Sequence, residues 1–261
     1  DFNNFSFDCI VVNDASTIDQ PNLSKPKHFT KLQILNMKEN KGHARCNAFG
    51  IRYINENTRF DHLILMDGDG EDRPEEIRNL IDKLKKDQNT SVVAKRIKRS
   101  EGPFFRFLYI MHKFITYIFT GKKINFGNYS CLTNNDVKKI SLKASLWSSY
   151  SGTVKKYIKN FSSINSIRGS RYFGPSKMSL YNLIIHSFSI IAVFKKQVFL
   201  RSILFFLTLF PLKMYLGSIS ILLQILLIIF CIIIYFISLR ERKDELLNSH
   251  KNLKDFKEIT H

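Results

Sequence analysis

The hydrophobic pattern of the chain alternates short apolar runs with longer amphipathic ones, then gives way to almost unbroken apolar sequence. Phe7 to Val12 is a β-rich run that stops at the polar turn Asn13-Asp14-Ala15-Ser16-Thr17-Ile18-Asp19. Lys31 to Met37 reads as the next strand, Asn40-Lys41-Gly42-His43 as a turn, and Ala44 to Ile54 as a helix. With Leu63 to Met66 as a further strand, this alternation predicts a parallel α/β sheet. Pro74 to Lys86 places Ile77, Leu80, Ile81 and Leu84 at helical spacing, with Pro in its first turn. Ser91 to Ala94 follows as a strand and Phe104 to Phe119 as an aromatic-rich helix. Asn125 to Leu132 reads as a strand entering a helix N-terminus at Thr133-Asn134-Asn135-Asp136. Leu146 to Tyr150 begins a segment leading to a helix near Val154–Lys159. Ser163 to Tyr172 is predicted to be a strand carrying Arg168 and Arg171, ended by Phe173-Gly174-Pro175-Ser176-Lys177.

Beyond that point the pattern changes class. Met178 to Phe194 has no charge, but Asn182, His186 and several serines interrupt it, which predicts a helix lying at a membrane interface. His186 reads as an interfacial or packing histidine rather than a catalytic one. Val198 to Leu216 is a first candidate crossing, with Arg201 and Lys213 near its ends where they can snorkel. Met214 to Leu239 is uncharged and, at ~1.5 Å per residue, spans a ~30 Å hydrocarbon core. Lys195, Lys196 and Arg201 precede the pair, and Arg240, Arg242 and Lys243 follow it, so both flanks are expected in the cytoplasm. The charged tail from Glu241 reads as a short exposed helix or as disordered. No internal repeat or low-complexity linker is found.

Charge and cysteine content narrow the setting. A net charge of +18 and a pI near 9.8 call for an anionic partner: a membrane surface, a phosphate-bearing substrate or nucleic acid. Nucleic acid is disfavoured, because the basic residues lie beside membrane-type segments and no DNA- or RNA-binding motif occurs. Cys9, Cys46, Cys131 and Cys231 lack metal-type spacing and read as reduced thiols in a cytoplasmic setting. There is no signal peptide pattern. The chain starts without Met and almost directly on a strand, as expected of a fragment lacking its N-terminus.

The stretch richest in chemistry is Met66-Asp67-Gly68-Asp69-Gly70-Glu71-Asp72-Arg73-Pro74. A buried strand would deliver Asp67 and Asp69 to a cleft, and two residues apart on extended backbone they would point the same way. Gly68 and Gly70 would leave room for a diphosphate and a metal. Hard oxygen ligands of this kind suit Mg²⁺ or Mn²⁺. An acidic surface turn is the alternative. Basic residues come next: Lys95-Arg96-Ile97-Lys98-Arg99 and Arg106 flank Glu101-Gly102-Pro103, either as a solvated turn or as an anion clamp.

Four segments in order resemble family 2 glycosyltransferases of the GT-A fold. They are Val11 to Thr17, Asn40-Lys41-Gly42 with Ala44, Ala48 and Gly50, Met66 to Glu75, and Arg168, Arg171, Gly174 and Ser176-Lys177. The likeness runs from about Phe7 to Ala192 and is nearest to the polyprenyl-phosphate branch, which includes dolichol-phosphate mannose synthases. It implies an α/β, Rossmann-like nucleotide-sugar domain with a mixed, mainly parallel sheet over residues 1–177. An interfacial helix (178–197), two transmembrane helices (198–239) and a cytoplasmic charged tail (240–261) would follow. By the resemblance Asp14 contacts the donor nucleoside, with Ser16, Lys41 and Gly42 beside it. Asp67 and Asp69 are catalytic, handling ribose, diphosphate and metal, and Glu71 falls near the metal. Two departures stand out. The family's opening strand, with its Pro and Asn-Glu, is absent, so donor binding is expected to be weak. Asn128-Tyr129-Ser130 replaces an Asp and an Arg found in many members.

The acceptor is argued from the residues. A hydroxyl acceptor needs a general base, but between Asp136 and Glu241 the chain has no Asp or Glu. A phosphate acceptor is already ionised and needs cations, for which Arg96, Arg99, Arg106, Arg168, Arg171 and Lys177 are available. The expectation is an inner-membrane enzyme moving a sugar from a nucleotide-sugar donor to an undecaprenyl-type phosphate. Two other readings stay open: transfer to a saccharide or glycolipid hydroxyl with Glu101 or Asp136 as base, and a non-catalytic protein binding anionic lipid in the bilayer. Self-association into a homo-oligomer also stays open.

Overall fold

The computed structural model describes residues 5–17, 24–87, 89–98, 103–174 and 179–259. Its first sheet starts from the two leading apolar runs. β1 (Phe7–Asn13) and β2 (Phe29–Met37) pair in parallel, Val12 opposite Leu35, under α1 (His43–Asn57). Gly50 permits the close helix–strand approach, since a Cβ there would lie 3.0 Å from the Val12 side chain. A second sheet has the order β3-β5-β4-β6, built from β3 (His62–Leu65), β4 (Ser91–Lys98), β5 (Phe126–Thr133) and β6 (Phe161–Ile167). α2 (Ile77–Lys86) packs Leu80 and Leu84 on one face, against Val92, Ala94, Tyr129 and Cys131. The other face carries Val93 and Leu132, covered by α4 (Asn134–Ser141) and α5 (Tyr150–Tyr157) through Val137, Ile140 and Val154. Thr133 caps α4 and Ser149 caps α5, each accepting a backbone N–H three residues on.

The sheets are mixed, as expected, but the parallel share is smaller. Among the described residues only the β1–β2 and β4–β6 ladders are parallel, because β5 runs against both β3 and β4 and β7 against β2. The tail is a clearer correction. It is neither disordered nor a lone helix: α9 (Lys243–Leu247) buries Leu246 in the main core, and β7 (Leu253–Glu258) pairs antiparallel with β2, Phe256 opposite Leu35. Trp147 Nε1 donates to Glu245 at 2.8 Å and anchors the return. Alternating charge along Leu253-Lys254-Asp255-Phe256-Lys257-Glu258 suits an edge strand that must not recruit further strands.

α3 (Pro103–Thr120) and α6 (Leu180–Ala192) pack on a helical pair, α7 (Lys195–Leu216) and α8 (Ser218–Ser238). Phe119 meets Phe205 edge-on and Phe230 at 4.5 Å between ring centroids. α7 and α8 are each long and apolar enough to cross a membrane. Leu204, Leu207, Leu222, Leu226 and Ile229 are exposed on them, a contiguous apolar surface of the kind that marks an interaction or membrane site. Gly217, at φ 55°, makes the turn between them. At the open end Lys195 Nζ lies 3.1 Å from Glu241, and β7 then rejoins the first sheet. Both ends of the hairpin therefore lie on the side of the α/β body.

Candidate functional site

Two loops meet at the carboxyl end of β1 and β2. The Asp14 carboxylate accepts the backbone N–H of Lys41 (2.9 Å) through one oxygen and that of Gly42 (2.8 Å) through the other. Asn40 donates to the Asp14 carbonyl at 2.9 Å, and Asn13 to Asn36 at 3.0 Å. Gly42 sits at φ 86°, a conformation that disfavours any side chain. Asp14, Lys41 and Gly42 are thus brought together, with Asp14 shaping the turn; a carboxylate holding two donors keeps lone pairs for a ligand. The Lys41 ammonium pairs with Glu39 at the rim, and Ser16 is exposed beside them.

The acidic stretch forms a second loop. β3 ends at Leu65, so Asp67 and Asp69 lie beyond the strand, Asp69 on a turn. Asp67 accepts from Asn128 Nδ2 at 3.1 Å, and its own N–H is held by Asp72 at 3.0 Å. Asp72 is buried and lies 3.3 Å from Arg96. Burial, with the nearby Asp67 charge, raises the Asp72 carboxyl above its ordinary value despite the Asp67 N–H and Arg96.

The arginine segment is not a strand. β6 stops at Ile167, and Arg168 to Tyr172 form a loop laid directly on the acidic turn. Arg171 places Nη2 2.9 Å from Asp69 Oδ2 and Nε 2.9 Å from Glu71 Oε1, while Arg168 bonds the other Glu71 oxygen. Two backbone bonds reinforce this, Gly169 N–H to the Glu71 carbonyl (2.9 Å) and Tyr172 N–H to the Asp69 carbonyl (3.0 Å). Burial would raise the Glu71 carboxyl, but the hydrogen bonds and charges of Arg168 and Arg171 hold it below its usual range. The glycines serve this junction. A Cβ on Gly169 would sit 2.4 Å from the Gly70 carbonyl, and Gly70 at φ 92° faces Tyr172 and Ser170 at about 3 Å. Gly68 alone has open space around it, as expected for both.

Of the expected cations, Arg96, Arg168 and Arg171 converge on the acidic turn. Arg106 stands exposed on α3, and Arg99 and Lys177 lie outside the described residues. Glu71 is committed to two arginines, and among the described residues no three His, Cys, Asp or Glu side chains form a cation cage. Sequence reasoning missed Asn128 as a partner of Asp67, Glu76, which accepts the Ile167 N–H at 3.0 Å, and a histidine pair. His186 of α6 meets His43 of α1 with ring centroids 5.1 Å apart. Desolvation, then the charges of His43, His112 and Arg96, push the His186 imidazole down to about 3, so it is neutral near pH 7.

A carboxylate turn at a strand end, with a second loop anchored by Asp14 near enough that Asp14 and Asp67 both act on Cys46, is an arrangement that can hold a phosphorylated donor. The family model described as glycosyl transferase family 2 matches residues 3–147, more than half of the chain and the whole of both loops. The chain belongs to glycosyltransferase family 2. A search of curated proteins gave no match. Membership implies a nucleotide-sugar donor and an acceptor, and both loops lie within the matched residues. The arginine loop, Arg168 to Tyr172, lies outside the matched residues, so its closure over the acidic turn is a feature of this chain's geometry.

Proposed function

We propose that this glycosyltransferase is membrane-anchored and moves a sugar from a nucleotide-sugar donor to a polyprenyl phosphate of the undecaprenyl type. The observation that carries the proposal is the employment of the carboxylates. Asp14, Asp67, Asp69, Glu71 and Asp72 all hold backbone N–H groups, Asn128 or arginines, and Glu76 is buried and holds the Ile167 N–H, so each of these carboxylates already has a structural task. Asp136 is remote from them. It accepts from Ser91 at 2.6 Å and pairs with Lys139, at the start of β4, whereas Arg96 near the other end of that strand reaches Asp72. Five strand residues separate the ends by roughly 16 Å. Glu101 lies outside the described residues. A phosphate acceptor removes the need for a base, since its attacking oxygen is ionised near pH 7. That oxygen bonds to the anomeric carbon as the bond to the donor diphosphate breaks, and the nucleoside diphosphate leaves with the electron pair. Arg96, Arg168 and Arg171 supply the cations that hold the two phosphate groups together, with Arg106 exposed on α3 as a further expected contributor.

Asp67 and Asp69 fit a divalent ion of the Mg²⁺ or Mn²⁺ type, which takes one or two carboxylates and completes its shell with phosphate oxygens and water. Such an ion supplies charge stabilisation to the departing diphosphate. Glu71 serves the arginine loop instead. The anchoring rests on α7 and α8, and the basic flanks argue for the body and C-terminus in the cytoplasm, at the inner membrane.

The full chain in detergent, given a panel of nucleotide sugars, is expected to glycosylate undecaprenyl phosphate and to leave saccharide and glycolipid hydroxyls untouched. Product on a hydroxyl acceptor alone would overturn the lipid-phosphate reading. A reporter fused after His261 is expected to be active only in the cytoplasm; activity only outside it would refute the orientation.

A further inference from the structure

On the α5 face of the second sheet, away from the acidic turn, a cavity of about 530 Å³ opens among Lys95, Lys123, Asn125, Lys155, Lys159 and Phe161. Lys122 borders it closely enough to act on Lys155. Among the described residues none of these five lysines has a carboxylate partner. Aromatic rings hold two of them instead: Lys155 Nζ lies 5.0 Å from the Phe161 centroid and Lys123 Nζ 5.4 Å from that of Tyr117. Burial, then the charges of Lys122 and Lys95, lower the Lys155 ammonium from its ordinary value. Like charges gathered in a concavity without a counter-ion are an unfavourable arrangement that a bound anion reverses.

The position of the cavity bears on what fills it. One wall is α5, whose Lys156 donates to the Val193 carbonyl at 2.6 Å, immediately before α7. The other wall is the segment between α3 and β5. There Gly121 leaves its Cβ space to the Arg201 guanidinium, and Arg201 Nη1 donates to the Ile118 carbonyl at 2.7 Å. Both walls are fastened to the first two turns of α7, the end that carries Lys195, Lys196 and Arg201. If α7 crosses a bilayer, this is the level of the phospholipid headgroups.

We infer that the lysine cavity is a phosphate-binding site separate from the transfer site, and that its occupant in the membrane is the headgroup of an anionic phospholipid. The headgroup assignment rests on the membrane reading of α7 and α8, whereas the phosphate site rests on the lysines alone. Lys95 and Lys155, close enough to act on each other, supply with the Asn125 amide the donors a phosphate diester needs, and the volume admits its glycerol.

The test uses the full chain, delipidated in neutral detergent, with bound molecules counted by native mass spectrometry. Phosphatidylglycerol, phosphatidylcholine and glycerol phosphate are titrated separately. Wild type is expected to retain one phosphatidylglycerol in preference to phosphatidylcholine. The Lys95→Gln/Lys155→Gln pair should weaken that retention by about a hundredfold, roughly tenfold per lost charge-assisted contact. Lys95→Arg/Lys155→Arg should retain it, which separates lost charge from lost fold, and Lys83→Gln/Lys86→Gln on α2 should change nothing. Equal retention by wild type and the glutamine pair would overturn the site. Glycerol phosphate binding as tightly as phosphatidylglycerol, and lost in the same pair, would keep the phosphate site and overturn the lipid assignment. Sugar transfer measured on the same preparations reports separately on the acidic turn.

Discussion

Asp69→Asn is expected to lower sugar transfer by about two to three orders of magnitude while leaving the melting temperature nearly unchanged. Asparagine keeps the carbonyl oxygen that accepts the Glu71 N–H, so the turn retains its local geometry. What is lost is the charge that faces Arg171 and, in the reading above, the divalent ion. The ion pair contributes little to folding, because Asp69 is 32% exposed and Arg171 27%, and half-solvated pairs are worth about 1 kcal/mol at most. Arg171 also keeps its second partner, Glu71. Turnover at wild-type level, together with indifference to a chelator, would refute the role of Asp69 at the metal and diphosphate.

Arg171→Ala is expected to move two quantities in opposite directions. Acceptor use should fall about ten- to a hundredfold, since one charge-assisted contact is worth roughly 1.5–3 kcal/mol. Binding of Mn²⁺ should tighten, because the guanidinium that lies 2.9 Å from Asp69 Oδ2 competes with a cation for that oxygen. Kinetics with donor and acceptor varied separately give the first quantity, and Mn²⁺ titration of the protein without substrates gives the second. A loss confined to the donor would assign Arg171 to the diphosphate. No change in either would leave the arginine loop a purely structural lid on the turn.

What could be read from the sequence was local. Pro74 with Ile77, Leu80, Ile81 and Leu84 marks α2, and Thr133 before Asp136 marks the α4 cap, because helix period and capping act within a few residues. The uncharged run through Ile225 and Ile232 gives α8 for the same reason. The misreadings were non-local. Asn128 faces Asp67 only because Leu65 pairs with Ser130 in an antiparallel ladder, a register that no local pattern specifies. The strand expected over Ser163 to Tyr172 ends at Ile167, because Gly169 must approach Gly70 and so leaves the ladder. β7 has no apolar run at all. Its partner β2 lies more than 200 residues earlier, and the pairing supplies what its own composition lacks.

That late pairing makes the α7–α8 pair an insertion within the α/β body rather than an appendage behind it. During synthesis the outer edge of β2 stays uncovered until the hairpin has emerged and β7 has followed, so the first sheet is completed last. Cutting the chain before α7 to obtain a soluble enzyme would bare that edge and remove Leu246 from the core, which favours aggregation. Because the Lys195 and Glu241 side chains meet, a short flexible turn between these two points would keep the returning strand in place of both helices, provided that the α3 and α6 faces bared at Phe119 and Ile191 were made polar.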